Sequence, residues 1–144
     1  MTIRCEIVSQ DRIVYQGDVD MVVLPGAAGQ MGILPHHSPV LSVLNFGIIT
    51  VKAGGNEEHF TVAGGVAEVQ PDQVTVLADA AENVEEIDVQ RAMLARQKAE
   101  ERLKEMMTED KDRYMLMMSA LKKSNLRLQA VKKYRADFKN KDLI

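Results

Sequence analysis

The sequence predicts a β plus α chain: an N-terminal antiparallel β-sandwich or barrel over residues 1–84, then a C-terminal two-helix antiparallel hairpin over residues 85–144. Three observations carry this expectation. Up to about Leu77 the apolar residues come in short, punctuated runs rich in β-branched side chains. From Ile87 to the end there is no glycine and no proline, and Ala, Leu, Met, Glu, Lys, Arg and Gln dominate. The charge balance also reverses, from three Lys/Arg against 12 Asp/Glu in residues 1–86 to 15 against nine in residues 87–144. The two halves therefore suit different electrostatic partners.

In the first half, Ile3, Cys5 and Ile7 alternate with polar Arg4 and Glu6, the period of a strand with one buried face. Further runs at Val19–Leu24, Val40–Leu44, Gly47–Lys52, His59–Val62, Val66–Val69 and Val74–Leu77 predict strands. Pro25-Gly26, Ala53-Gly54-Gly55-Asn56, Gly64-Gly65 and Gln70-Pro71-Asp72-Gln73 are read as the turns between them. Many short strands at this spacing make a sandwich or barrel.

In the second half, Ala92, Ala95, Ala99, Leu103 and Met106 fall on one helical face. Tyr114, Met117, Leu121, Leu128 and Val131 form a second stripe, interrupted by Ser124. Thr108-Glu109-Asp110 separates the stripes with capping residues, so the spacing predicts helices over roughly 88–107 and 111–135. A stripe made mostly of alanine buries little area per turn, and the hairpin is expected to be marginally stable by itself.

With 144 residues and 46% hydrophobic content, the chain can bury one real core and a smaller satellite. The single cysteine, Cys5, has nothing to pair with, which suits a reducing compartment, and its apolar neighbours point to a small core residue rather than a nucleophile. No apolar run approaches a membrane helix and no secretion signal precedes the first strand, so a soluble chain is expected. None of the five serines sits in a Gly-x-Ser-x-Gly turn, and no Gly-rich loop ends in Lys-Ser or Lys-Thr. No catalytic residue is identified. Adjacent His36 and His37 diverge, His59 has no ligand set nearby, and no metal site is expected.

The segment Pro25 to Pro39, PGAAGQMGILPHHSP, closely resembles the glycine-punctuated loop of epsilon subunits of bacterial F-type ATP synthases. Ala63-Gly64-Gly65-Val66-Ala67-Glu68-Val69 and Val74-Thr75-Val76-Leu77-Ala78-Asp79 follow at the separation found in that family, and a helical hairpin completes the chain. The resemblance covers about residues 3–134. By itself the loop is a shaped strand connection, its glycines permitting close backbone approach and its prolines stiffening the exit. The resemblance implies a non-catalytic rotor subunit whose loop meets the γ subunit and the polar loops of the c-ring, with Gln30, Met31 and His37 as contacts. Gln30 stands where many relatives carry an acidic residue.

Ile87-Asp88-Val89-Gln90-Arg91-Ala92 opens the first helix, and Asp88 as its N-cap accounts for the motif without any ligand. The same residues match the Ile/Leu-Asp-x-x-Arg-Ala motif of those epsilon subunits whose folded-down hairpin binds ATP. The resemblance implies that Glu82, Ile87, Asp88 and Ala92 surround adenosine, while Arg91, Lys98, Lys123 and Arg127 face phosphate. Residues 91 and 98 lie two turns apart on one face, and 123 and 127 one turn apart on the next helix, so charge-assisted bonds can converge on a triphosphate. Relatives with well-formed sites carry arginine where this chain has Lys98 and Lys123. A point charge cannot replace the planar two-pronged contact, so weakened binding is expected. No cofactor is required; ATP enters as a regulatory ligand.

Residues 111–135 hold eight Lys/Arg against Asp112 alone. The ordinary reading is a solvated helix face. The resemblance implies instead that this face, including Lys122 and Lys132, docks on acidic segments of the α and β subunits when the hairpin extends. Six methionines in residues 93–118 would let it repack against different partners. Nucleic-acid binding is a rival, but aromatic stacking platforms are lacking and the β-domain is acidic, so no nucleic-acid partner is expected. A free-standing ATP-sensing module is the other rival. The rotor reading places the chain on the cytoplasmic face of the bacterial membrane, held there through its complex.

Overall fold

The computed structural model describes residues 1–10, 12–106 and 110–138. It divides into two compact units, Met1–Val84 and Glu85–Ile144. The first unit holds eight strands: β1 (Ile3–Ser9), β2 (Arg12–Val19), β3 (Met21–Gly26), β4 (Gly29–Ile33), β5 (Val40–Ala53), β6 (Asn56–Val69), β7 (Gln73–Ala78) and β8 (Ala81–Asn83). They hydrogen-bond in the order β2-β1-β7-β6-β5-β3-β4, with β8 beside β6. Every pairing is antiparallel except β1 with β7, which run parallel with Arg4 opposite Gln73 and Ser9 opposite Ala78.

The alternation in β1 does what its period demands. Ile3, Cys5 and Ile7 are buried, and they join Val22 and Leu24 of β3, Ile33 of β4, Ile49 and Val51 of β5, and Phe60 and Val62 of β6 in one apolar cluster. Tyr15 of β2 closes against it, its ring 5.4 Å from that of Phe60 at a tilt of 60°, a favoured edge-leaning arrangement. The sandwich therefore owns a complete core.

Two readings of the punctuation need correction. Gly64-Gly65 is not a turn between strands: both residues lie inside β6, with φ of +89° and +136°. Here β6 switches partners, pairing β8 through Phe60–Val62 and β7 through Gly65–Val69. A Cβ on Gly65 would stand 2.3 Å from the Leu77 carbonyl oxygen and 2.8 Å from Ala78 Cα, so backbone proximity selects glycine there. Likewise Pro25-Gly26 is the end of β3, paired with Gln30 and Gly29 of β4, and the reversal falls on Ala27 and Ala28. The glycine-punctuated segment thus contains a strand that its composition hides. Val40–Leu44 and Gly47–Lys52 are one strand, as are His59–Val62 and Val66–Val69.

After a single 3-10 turn at Val84–Glu86, the second unit consists of α1 (Val89–Glu105) and α2 (Lys111–Tyr134), which pack against each other. Their antiparallel sense is fixed by a hydrogen bond from Arg135, just past α2, to the carbonyl of Ile87, just before α1. Both N-termini are capped by aspartate: Asp88 accepts from Arg91 N–H at 3.1 Å and Asp110 from Arg113 N–H at 3.2 Å. Thr108 and Glu109 lie outside the described residues. On α1 the buried side chains are Val89, Ala92 and Ala99; on α2 they are Ser124, Leu128, Ala130 and Val131. Ser124 tolerates burial because its hydroxyl donates to the Ala120 carbonyl at 3.0 Å. Among the described residues no helix is long and apolar enough to cross a membrane.

Candidate functional site

Two features stand out. The first is on the sandwich, where strand register lines up aliphatic side chains across five strands. Ile13 of β2 sits opposite Val8 of β1, Val8 opposite Leu77 of β7, Leu77 opposite Val66 of β6, and Val66 opposite Val43 of β5. Directly opposed residues share a face, so the five form one continuous apolar row. Ile13, Leu77 and Val43 remain 58%, 58% and 62% exposed, and Leu41, 72% exposed, lies one alternate position away on β5. Single exposed apolar residues are ordinary, but a row of this length is the mark of a surface that is covered in use. The row was not legible in the sequence, because cross-strand register assembles it from five segments.

The glycine-punctuated segment lies along the β3–β4 edge. Gln30 is exposed on β4, and Met31 beside it is half-buried against the core. His37 sits in the turn after β4, where its Nδ1–H donates to the Ser38 carbonyl at 2.7 Å. Preceding it, His36 takes a left-handed φ of 66° and its backbone N–H donates to the Pro71 carbonyl at 2.8 Å, tying this turn to the β6–β7 connection. An uncommon conformation held by a tertiary bond is a built feature.

The second feature is the helical unit. Asp88 uses Oδ1 for the cap, and its carbonyl accepts from Ala92 N–H at 3.0 Å, so the capping account of Ile87–Ala92 is realised. Ile87 and Ala92 are buried. Arg91 and Lys98 are exposed and each precedes a buried alanine, Ala92 and Ala99. Lys123 and Arg127 are half-buried and each precedes a buried residue, Ser124 and Leu128. In an antiparallel pair, the positions just before the buried stripe fall on the same side of both helices, so the four cations flank one side of the hairpin. Glu82 belongs to the other unit: it lies on β8, opposite Thr61, whose hydroxyl donates to the Glu82 carbonyl at 3.4 Å. Lys122 is exposed and Lys132 half-buried on α2.

Sequence reasoning missed Arg135. Its side chain is only 14% exposed, and it donates to the Ile87 carbonyl at 2.6 Å and to both carboxylate oxygens of Asp137 at 3.3 and 3.1 Å. Cys5 is buried in the sandwich, where desolvation and the neighbouring Glu6 carboxylate push its thiol pKa up to about 12. Such a thiol is inert at neutral pH.

A sandwich that exposes one apolar row, followed by a two-helix unit with a basic flank, defines a class of subunit made to sit in a larger assembly. Residues 2–84 match the family described as ATP synthase, Delta/Epsilon chain, beta-sandwich domain, and residues 85–132 match its long alpha-helix domain. The chain belongs to the ATP synthase delta/epsilon chain family. It is 51% identical over 102 residues to the ATP synthase epsilon chain of Alkalihalophilus pseudofirmus, covering 71% of this chain and 77% of that one. To the epsilon chain of Syntrophobacter fumaroxidans it is 44% identical over 131 residues, covering 91% and 96%. Its fold resembles a chain in the Euglena gracilis mitochondrial ATP synthase with a TM-score of 0.75 at 24% identity, over 90% of this chain and 81% of that chain.

Proposed function

We propose that the chain is the non-catalytic epsilon subunit of the central stalk of a bacterial F-type ATP synthase, joining γ to the c-ring and regulating ATP hydrolysis through its helical hairpin. The observation that carries this is the exposed aliphatic row from Ile13 to Val43. A free-standing module would lose solubility by presenting it, whereas a stalk subunit covers it with γ. Gln30, Met31 and His37 offer a mixed polar and apolar edge for γ and the c-ring loops. The chain is then peripheral to the membrane, on its cytoplasmic face, through these partners. Co-expression with α, β, γ and the c-ring tests this directly: the chain, and equally its residues 1–84, should co-purify with γ. Recovery as a lone monomer from cells that contain assembled γ would overturn it.

Regulation follows from the second unit. The hairpin exchanges between a closed form and one extended toward α and β, where the basic side of α2 meets acidic segments. ATP, held by Ile87, Asp88 and Ala92 around adenosine and by Arg91, Lys98, Lys123 and Arg127 around phosphate, favours the closed form through differential affinity. The cap leaves Asp88 Oδ2 available, so capping and ligation are compatible. Calorimetric titration of the full chain with ATP should show binding. Arg91→Ala, which keeps the cap, should weaken it by about 1.5–3 kcal/mol, the worth of a hydrogen bond to a charged group. Lys98→Arg and Lys123→Arg should strengthen it. No heat at millimolar ATP in any of these proteins would remove ATP from the mechanism.

A further inference from the structure

We propose that Arg135 is a latch that closes the open end of the helical hairpin and thereby sets the balance between its closed and extended forms. The argument starts from the carbonyl of Ile87. In α1 the first carbonyl used by the helix is that of Asp88, which accepts from Ala92 N–H, while Arg91 N–H is taken by the Asp88 side chain. The Ile87 carbonyl therefore lies outside the helical ladder, on a residue only 4% exposed. A carbonyl so placed needs a partner from elsewhere. Arg135 supplies it from 48 residues away, through Nη1 at 2.6 Å.

The rest of the guanidinium is committed as well. Nε and Nη2 both meet Asp137, in the two-pronged geometry that an arginine fork favours, and the cation lies 5.0 Å from the Phe138 ring centroid. Arg135 is also the C-cap of α2, its backbone N–H donating to the Val131 carbonyl, and a cation there complements the helix dipole. Asp137 and Phe138 thus hold the guanidinium in position, and the position joins the last turn of α2 to the residue before α1. Opening the hairpin breaks the Ile87 bond and nothing else that this cation makes. These residues lie beyond 85–132, the span that matches the helical domain of the family.

The latch rests on the two-state reading of the hairpin given above, and its test separates the two. Nitroxide labels on Gln90→Cys and Gln129→Cys, both exposed, report the distance between the ends of α1 and α2 in the full chain, and the buried, inert Cys5 needs no replacement. Without nucleotide, Arg135→Ala should lower the ratio of closed to open forms by about tenfold or more, as expected for loss of a charged hydrogen bond. Asp137→Ala should give a smaller shift in the same direction, and Arg135→Lys an intermediate one, because a point charge cannot serve Ile87 and Asp137 together. If Arg135→Ala loses helix content by circular dichroism, the Lys and Asp137 variants carry the test. Distance distributions identical to wild type in all three overturn the latch. If instead the variants open the hairpin but ATP changes no distribution, the latch stands and the nucleotide reading falls.

Discussion

If the aliphatic row is the face that γ covers, weakening it should cost affinity without cost to the fold. The substitutions to make are Leu77→Thr and Val43→Thr. Both side chains project outward, and threonine is a good strand former, so the sandwich should keep its stability to within about 0.5 kcal/mol per site. A fully buried aliphatic side chain is worth about 1.5–3 kcal/mol relative to an exposed one. Leu77 is 58% exposed and Val43 62% exposed, so more than half of that gain remains to be made on docking. This amounts to about 1–2 kcal/mol per residue and about 2–3 kcal/mol for the pair, or roughly 30- to 150-fold in affinity. The assay is titration of γ with wild-type and doubly substituted chains, with thermal unfolding of each alone as control. Unchanged affinity with an unchanged melting curve would show that γ does not use this face.

Four further expectations follow from particular residues. Gly65→Ala forces a Cβ against the Leu77 and Ala78 backbone at a left-handed φ, and should destabilise the sandwich by at least about 3 kcal/mol, lowering its melting temperature by roughly 12–24 °C. Gly54→Ala, where no atom lies within 4 Å of the added Cβ, should cost about 1 kcal/mol. The Cys5 thiol, raised from 9.0 to about 12, stabilises the folded state fully below pH 9, and that contribution should be lost as pH rises toward 12. Urea denaturation under reducing conditions should show the decline, and Cys5→Val should flatten it. Reversing Lys122, Lys123, Arg127 and Lys132 to glutamate should raise ATP hydrolysis by the assembled complex while leaving assembly intact, and high salt should reproduce part of the effect. An unchanged hydrolysis rate would count against docking through these four cations of α2.

The parts of the fold that were legible depended on one segment at a time. The alternation of Ile3, Cys5 and Ile7 marks β1, and the glycine-free run after Ile87 marks two helices. What stayed hidden depended on pairing. β4 reads as loop because Gly29 and Gly32 dilute its apolar residues, and only its partner β3 makes it a strand. Gly64-Gly65 reads as a turn because glycine pairs usually are turns, whereas here they let β6 change partners without ending. The aliphatic row is a property of register across five strands. On the helices, the charge of α2 and the Asp88 motif were visible. The Arg135 contact was not, because a bond across 48 residues leaves no periodic trace.

The alanine stripe of α1 bears on how such a hairpin can be regulated at all. Its buried side chains are Val89, Ala92 and Ala99, and each alanine contributes a single methyl group, worth about 0.8 kcal/mol. Together with valine, the burial on this helix amounts to about 3–5 kcal/mol before any entropy is charged against it. A ligand that binds only the closed form adds about 2.7 kcal/mol when present at a hundred times its dissociation constant. The two quantities are of one order, so occupancy of the proposed site at Asp88 and Arg91 would be enough to decide the conformation. With leucines in place of Ala92 and Ala99, burial would exceed the ligand contribution about two- to threefold and the closed form would persist with or without it. On the proposed two-state reading, the small residues on α1 would make the hairpin responsive, and the single bond from Arg135 to the Ile87 carbonyl is of a size to matter in that balance.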